Sequence, residues 1–389
     1  MIKPGSTIGM LGSGQLGRMF VHAAQQMGYG VHVYSPGTNT PAGHAANLEI
    51  TAAYDDLDAC RTFARQVDVV TLEFENVPVE TVEAISAITP VHPGRQVLEV
   101  ARNRVKEKTT LQNLGLPVPD FAVVHKAEDA VEFVKSRGEL GAVLKSAESG
   151  YDGKGQARVR SVDDAAEALE SIGGGPAIIE EFVPYDFELS VISARSSTGE
   201  VRSFDPILNM HENHILDVSV SPSSRVSPQL RAELVEIAES LMASLDVIGV
   251  LCVEFFFTKD GRVLINEIAP RPHNSGHLTI EACVTSQFEQ QVRAVCGLPL
   301  GSTELITGAA MANLLGQHLP DADVQFERLM QCPTAKLHLY GKVQPNVNRK
   351  MGHITVTAEC ADTAEAQVRE ARASMLAAAA TENLPVQES

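Results

Sequence analysis

The sequence has no apolar stretch long enough to cross a bilayer. Its densest run, VLCVEFFF at 250–257, falls far short of the ~20 residues a spanning helix needs. The opening MIKPGSTIGML lacks the long hydrophobic region and small-residue cleavage site of a secretory leader, so none is expected. The six cysteines (Cys60, Cys252, Cys283, Cys296, Cys332, Cys360) form no C-x-x-C pair and show no metal-ligand spacing. They are expected to be reduced thiols, several of them buried, in a cytoplasmic protein. Positive charge is also short: 31 Lys and Arg against 49 Asp and Glu leave a net charge of −18, which argues against a nucleic-acid partner. Two basic clusters stand out on that background, RNRVKEK at 102–108 and GKVQPNVNRK at 341–350. Each is either solvated surface or a holder for a small phosphorylated ligand.

With 389 residues the chain exceeds one ordinary core, and two or three domains are expected. A content of 44% hydrophobic and 21% charged residues is that of a soluble globular protein. From 6 to 92 the pattern alternates. TIGML, GVHVYS and VDVVTLEF read as strands, and Gln15–Met27, Asp56–Gln66 and Val79–Ile88 as helices, which predicts βαβ units and a parallel sheet. A charged helical stretch over 95–114 ends at GLPVP, a break and the first domain boundary. Residues 120–296 mix strands and helices in the α+β manner, with a helix over Pro228–Leu245 and a hairpin over 250–269. A shorter tail follows Gly297, with strands near 309–314, 335–340 and 353–358 and a helix over 362–375.

TIGMLGSGQLGRM, Thr7–Met19, fits the G-x-G-x-x-G pattern at Gly12, Gly14 and Gly17. A dinucleotide fold also wants an acidic residue closing the second strand, but that strand ends Tyr34-Ser35-Pro36. A dehydrogenase is therefore disfavoured. An anion at the helix N-terminus and simple close packing of strand on helix both remain open.

The hairpin carries the strongest chemistry. Asp260-Gly261 predicts a two-residue type I′ turn, in which paired residues sum to 521 and Glu254 faces Glu267. Opposed Cβ atoms lie ~5 Å apart, and like charges there repel. Val253, Phe255 and Asn266 are expected to point the other way. The pair needs a counter-charge, and Mg²⁺ carried with nucleotide phosphates supplies one; two glutamates on a wet sheet face is the plain alternative. Lys145 ends a strand, and GYDGKG at 150–155 is a glycine-rich flap bearing Lys154, suited to covering phosphates with backbone amides. A snorkelling edge lysine is the plain reading of Lys145. IIEEFV at 178–183 and Glu188 offer an apolar slot with polar groups for a purine and its ribose.

In order, GMLGSGQLGRM, TLEFENV, SGYDGKGQ, EEFV, VEFFFT, NEIAPRPHNSGH and LYGK…NRKMGHIT resemble the ATP-grasp superfamily. Within it they are similar to the 5-(carboxyamino)imidazole ribonucleotide synthetases. The resemblance implies an α/β and α+β architecture: a Rossmann-like preATP-grasp domain at 1–100, an ATP-grasp domain at 101–296, and a substrate-phosphate domain at 297–389. It implies that the glycine turn helps hold a ribonucleotide and not NAD. It implies carboxylation of 5-aminoimidazole ribonucleotide by bicarbonate and ATP through carboxyphosphate, with Mg²⁺, in a homodimer. ATP would be held by Arg104, Lys145, the loop Gly150, Tyr151, Asp152, Gly153, Lys154, Gly155 and Gln156, then Glu180, Glu181, Phe182, Val183, Glu188, His211 and Asn266. Glu254 and Glu267 would bind the metal. Gln15, Leu16, Glu73, Tyr151 and Asp152 would frame the substrate, with Asp152, Lys154, Arg271, His273 and Asn274 as the catalytic set. Lys342, Arg349 and Lys350 would take the 5′-phosphate. The plain alternatives are a solvated loop histidine at 273 and an ordinary salt-bridge partner at Arg271; His22, His32, His44 and His92 stay unassigned. The sibling formate-dependent glycinamide ribonucleotide formyltransferases share the layout. They tend to carry small residues in place of Tyr151-Asp152 and an acidic residue in place of Asn274. A non-catalytic ATP-binding scaffold would have no need of both metal ligands.

Overall fold

Three sheets follow one another along the chain in the computed structural model, which describes residues 1–137, 141–148, 154–319 and 326–376. The first is parallel, with β1 (Thr7–Leu11), α1 (Gln15–Gln26), β2 (Gly30–Ser35), β3 (Leu48–Thr51), α2 (Leu57–Ala64), β4 (Val69–Leu72) and α3 (Val79–Ser86). Its strand order is β3-β2-β1-β4. The strands are apolar on both faces because helices cover both. Ile8, Val31 and Val33 pack with Phe20 of α1, while Leu11, Tyr34 and Leu72 pack with Phe63 of α2 and Ile85 of α3. The alternation thus folds as the sequence predicts with two exceptions: the next strand expected to start at VHP (91–93) is only a single bridge of Val91 to Val70, and β3 is added, its partly exposed LEIT carrying no apolar run to announce it.

The glycine turn between β1 and α1 encloses a carboxylate of the chain itself. Glu73, just past β4, accepts hydrogen bonds from the backbone N–H groups of Gly14 and, at 2.7 Å, Gly17. The positive end of α1 is thereby filled by an internal anion. Gly12 has φ +112°, and a Cβ there would stand 2.2 Å from Cγ of Glu73. Only glycine fits.

The charged stretch 95–114 forms two helices, α4 (Arg95–Ala101) and α5 (Arg104–Asn113). They part at Asn103, whose side chain caps α5 by accepting from the N–H groups of Val105 and Lys106. A small antiparallel sheet follows: β5 (Phe121–Val124), α6 (Ala127–Lys135), β6 (Ala142–Ser146), β7 (Gln156–Val159), α7 (Ala165–Ser171) and β8 (Ala177–Glu181), in the order β5-β8-β6-β7. Helices α6 and α7 cover one face through Phe133, Leu144, Leu169 and Ile179. The other face carries Lys145 and Glu180.

The rest builds a nine-stranded antiparallel sheet. It contains β9 (Tyr185–Arg195), β10 (Val201–Ser203), β11 (Ile207–Glu212), β12 (Ile215–Ser221), α8 (Pro228–Ser244), β13 (Gly249–Thr258), β14 (Val263–Ala269), α9 (Thr279–Ala282), α10 (Gln287–Val295), β15 (Gly308–Leu315), α11 (Phe326–Leu329), β16 (Ala335–Leu339), β17 (Lys350–Ala358) and α12 (Ala361–Leu376). The order is β14-β13-β9-β11-β12-β15-β17-β16, with β10 beside β9. Helices α8 and α12 bury Leu234, Leu241 and Val368 against Val253 and Phe255 on one face. Strands β15–β17 extend this sheet through β12, Val218 opposite Ala312, so the described residues after 297 add strands to an existing sheet and build none of their own. Helix α10 turns Phe288 and Val292 toward the first sheet and docks it.

Replacing Gly12 with Ala is expected to cost about 2–4 kcal/mol, through the contact with Glu73 and the left-handed backbone together. Urea unfolding of the variant beside the wild type measures it.

Candidate active site

The hairpin brings Glu254 opposite Glu267, as its spacing predicts, but by a different route. The turn is a three-residue loop: Thr258 pairs with Arg262, and Gly261 takes φ +84°. Phe257 therefore faces Val263 and Phe255 faces Ile265, one residue away from the expected register. A bulge at Asn266 restores it, so that Glu254 meets Glu267 after all. The bulge also corrects the expectation that Asn266 points away, since Asn266 borders the same cavity as the two glutamates.

A buried lysine holds that bulge. Lys108 of α5, 1% exposed, donates from Nζ to the carbonyls of Ile265 (3.0 Å) and Asn266 (2.6 Å). Its charge is met by Glu180, 3.4 Å away, which also accepts from Lys145 at 2.7 Å. Burial works against charge on Glu180, but the two lysines prevail and hold its carboxyl near about 2. Glu107, buried beside Lys108, is pushed up to about 8 by loss of solvent. Part of the basic cluster 102–108 is thus interior structure and not a wet surface.

Two cavities meet above the hairpin. The larger, about 820 Å³, lies between the small sheet and the large one. It is bordered by Lys145, Lys154, Gln156, Glu180–Val183, Glu188, His211, Glu254, Asn266 and Glu267. The smaller, about 490 Å³, lies between the glycine turn and the end of β14, bordered by Gln15, Leu16, Glu73 and Arg271. Arg104, Glu267, His273, Asn274 and Lys350 border both. Of the expected flap, Gly150, Tyr151, Asp152 and Gly153 lie outside the described residues. Gly155 does not border either cavity; its carbonyl accepts from the Ser146 N–H.

In the larger cavity His211 Nδ1 lies 2.8 Å from Glu188 Oε2, and that carboxylate raises the imidazole pKa although burial opposes it. Glu254 Oε1 lies 2.8 Å from His273 Nε2. Burial disfavours the Glu254 charge, yet His273, with His211 and Lys350 farther off, holds the carboxyl near about 2. Glu267 moves the other way, raised by loss of solvent and by the charge of Glu254.

The loop after β14 is fixed from several sides. Arg271 forms a two-pronged ion pair with Glu75, Nε to Oε2 at 2.7 Å and Nη2 to Oε1 at 3.3 Å. The backbone of His273 is gripped at both its N–H and its carbonyl by the Gln287 amide. Asn274 and Asn313 exchange amide hydrogen bonds of 3.1 and 3.0 Å. Glu75, Lys108, Gln287 and Asn313 were not singled out from the sequence. Asn313 had a signal there, a lone amide in the apolar run GAAMANLL; Glu75 sits inside the quoted motif TLEFENV, where only Glu73 was singled out.

The tail cations separate. Lys350 borders both cavities. Lys342 donates from Nζ to the Lys350 carbonyl at 2.7 Å. Arg349 borders neither cavity, and its guanidinium donates to the Gln344 carbonyl at 2.9 Å. Glu73 borders the smaller cavity with both oxygens already engaged by the glycine turn.

Residues 5–102 match the model of the ribonucleotide synthetase preATP-grasp domain, 109–288 that of the ATP-grasp domain, and 309–367 that of the phosphoribosylaminoimidazole carboxylase C-terminal domain. The N5-carboxyaminoimidazole ribonucleotide synthase of Bacillus subtilis is 41% identical over 355 residues, 91% of this chain and 92% of that protein. The chain belongs to the N5-carboxyaminoimidazole ribonucleotide synthase family. The Brucella melitensis synthase is 43% identical, covering 91% of this chain and 97% of its own. A solved ADP complex of a synthetase of this family superposes with a TM-score of 0.89 at 39% identity, covering 95% of this chain and 97% of that one. The Aspergillus clavatus synthase, in complex with ADP and 5-aminoimidazole ribonucleotide, superposes at 0.86 with 31% identity, covering 95% and 98%. N5-carboxyaminoimidazole ribonucleotide synthases are ATP-grasp ligases of purine biosynthesis that carboxylate aminoimidazole ribonucleotide at the expense of ATP, and this chain is one of them. Among its described residues no helix is long and apolar enough to cross a membrane.

Glu180→Gln is expected to destabilise the fold by about 3–5 kcal/mol at neutral pH, because it leaves buried lysine charge unmatched. A depressed carboxyl stabilises the fold above its ordinary value of 4.5 and loses that contribution as pH falls through about 2. The gap between wild type and variant therefore closes across that window, as urea unfolding at stepped pH would show.

Proposed function

We propose that this ligase binds ATP in the larger cavity and 5-aminoimidazole ribonucleotide in the smaller, and carboxylates the ribonucleotide's amine with bicarbonate where the cavities meet. The observation that carries this reading is the shared border of Arg104, Glu267, His273, Asn274 and Lys350. A phosphoryl group at the inner end of one cavity lies next to an amine at the inner end of the other.

Lys145 and Lys154 stand on the phosphate side, Glu181–Val183 on the purine side, and Glu188 with His211 where a ribose would lie. Gln15, Leu16 and the rim of the glycine turn bound the substrate base. Lys350, bordering both cavities, is the tail cation best placed for an anionic group, with Lys342 bracing its backbone. This shifts the expected phosphate contact away from Arg349. Glu254 and Glu267 fit Mg²⁺: they are two opposed carboxylates facing a cavity, the donor set magnesium takes alongside phosphate oxygens. Bound there, the ion would neutralise phosphate charge.

Bicarbonate oxygen attacks the γ-phosphorus, ADP leaves, and carboxyphosphate forms. The exocyclic amine nitrogen then bonds to the carboxyl carbon, releasing phosphate and one proton. Arg104 and Lys350 stabilise the charge that gathers at the junction, and Asn274, its amide fixed by Asn313, orients the carboxylate being transferred. Arg271, engaged by Glu75, holds the loop that carries His273. The family resemblance supports a homodimer, and the free cysteines, with no disulfide among the described residues, support a cytoplasmic location.

The deciding assay measures ADP release with 5-aminoimidazole ribonucleotide or glycinamide ribonucleotide, each with bicarbonate or formate. Release that depends on aminoimidazole ribonucleotide and bicarbonate together is expected; dependence on glycinamide ribonucleotide and formate would identify the sibling reaction. Glu267→Gln should lower turnover by at least ~100-fold while circular dichroism and melting stay near wild type. Undiminished turnover would remove Glu267 from the metal site.

A further inference from the structure

Cys252 takes no part in the reaction just described. It lies on β13 two residues before Glu254, so both side chains leave the same face of the sheet. The loop carrying His273 closes over that face and sets Nε2 at 2.8 Å from Glu254 Oε1. The Cys252 sulfur, a Glu254 oxygen and a His273 nitrogen all lie within 4.8 Å of one another. Cys252 is fully buried and shares an apolar cluster with Ile192, Val250 and Leu278. The thiol itself borders neither cavity; Glu254 and His273, the two groups it lies beside, border the larger one.

We propose that Cys252, Glu254 and His273 form a site for a thiophilic divalent cation of the zinc class. Zinc takes sulfur, imidazole nitrogen and carboxylate oxygen at ~2.0–2.3 Å in a tetrahedron, and three protein ligands leave the fourth position open. Magnesium prefers an oxygen shell and gains nothing from the thiol. The second ring nitrogen of His273 is also placed for such a role. Nδ1 lies 2.9 Å from Ser275 Oγ, which in turn lies 2.8 Å from Ser190 Oγ, a buried hydroxyl pair that fixes the ring as the outer partners of metal-bound histidines do. Binding releases the thiol proton of Cys252 and the proton on Nε2, leaving thiolate and Nε2 lone pairs for the ion; the remaining ring proton then sits on Nδ1 and donates to Ser275 Oγ, replacing the 3.3 Å contact that Nδ1 accepts from the Ser275 N–H. Glu254 cannot serve this ion and Mg²⁺ together, so the zinc-class cation switches the ligase off. The site itself stands whether or not Glu254 holds magnesium.

The test uses the reduced, full-length protein without Mg²⁺, titrated with Co²⁺ as a spectroscopic probe. One equivalent is expected to give a thiolate-to-cobalt charge-transfer band that Zn²⁺ removes. The band should be missing in both Cys252→Ser and Cys252→Ala; the alanine variant guards against misfolding of a buried serine. Zinc affinity should fall by ~10–100-fold or more in Cys252→Ala, with Mg²⁺-supported turnover kept and its inhibition by zinc weakened in proportion. A band that survives in the alanine variant would place the thiolate at another cysteine. Either that, or equal zinc affinity in wild type and variants, overturns the proposal.

Discussion

The active site hangs on one amine. Lys108 reaches from α5 to the two carbonyls at the β14 bulge, at the edge of the large sheet where no further strand among the described residues accompanies it. A bulge leaves backbone groups without ladder partners, and an unmet carbonyl in the interior costs about 1–3 kcal/mol. Lys108 meets both carbonyls, and its own charge is matched by Glu180. Because Glu180 also engages Lys145, one buried network fixes the small sheet, the hairpin and the helix before them. Were Asn266 paired in the ladder and not bulged out, it would face Glu254 and Glu267 would turn to the opposite face of the sheet. The facing of the two acidic residues is thus a property of three distant segments and not of the hairpin alone.

Much of this architecture was legible in the residues, for identifiable reasons. Helices and strands with strong periodicity, such as Gln15–Gln26, Pro228–Ser244 and the hairpin strands, announce themselves because their burial is continuous. Strand β3 did not, since LEIT is a half-exposed edge. The glutamate pair was found through a register that holds only over Cys252–Glu254, because a longer turn and a bulge offset one another. Nothing in a single sequence reveals that cancellation. Lys108 was equally hidden: in RNRVKEK it reads as one more surface cation, and only the packing of α5 buries it. The site residues that sequence reasoning missed are those that orient others, such as Gln287, Asn313 and Glu75. Their work is done across the fold at long separation, which local pattern does not show, even where, as at Asn313, a lone amide in an apolar run marks the position.

Charge is arranged in opposition throughout the cleft. Lysines 108 and 145 hold Glu180 ionised, His273 does the same for Glu254, and Glu267 between them is left with a raised affinity for a proton or any other cation. An acidic chain thereby keeps its scarce basic residues for places where anions must be met, both its own and those of its substrates.

The stretch Glu73–Glu75 has a mechanical consequence. Glu73 grips the glycine turn on one side of the smaller cavity, and two residues later Glu75 grips Arg271 on the other. The opposing walls are bolted to the same three residues, like the jaws of a caliper locked at one setting. Their span is therefore tied to the short backbone between Glu73 and Glu75, successive Cα atoms standing ~3.8 Å apart. A ligand entering there is gauged by its width; adjustment is left to the remaining walls, which α4, α5 and Lys350 supply.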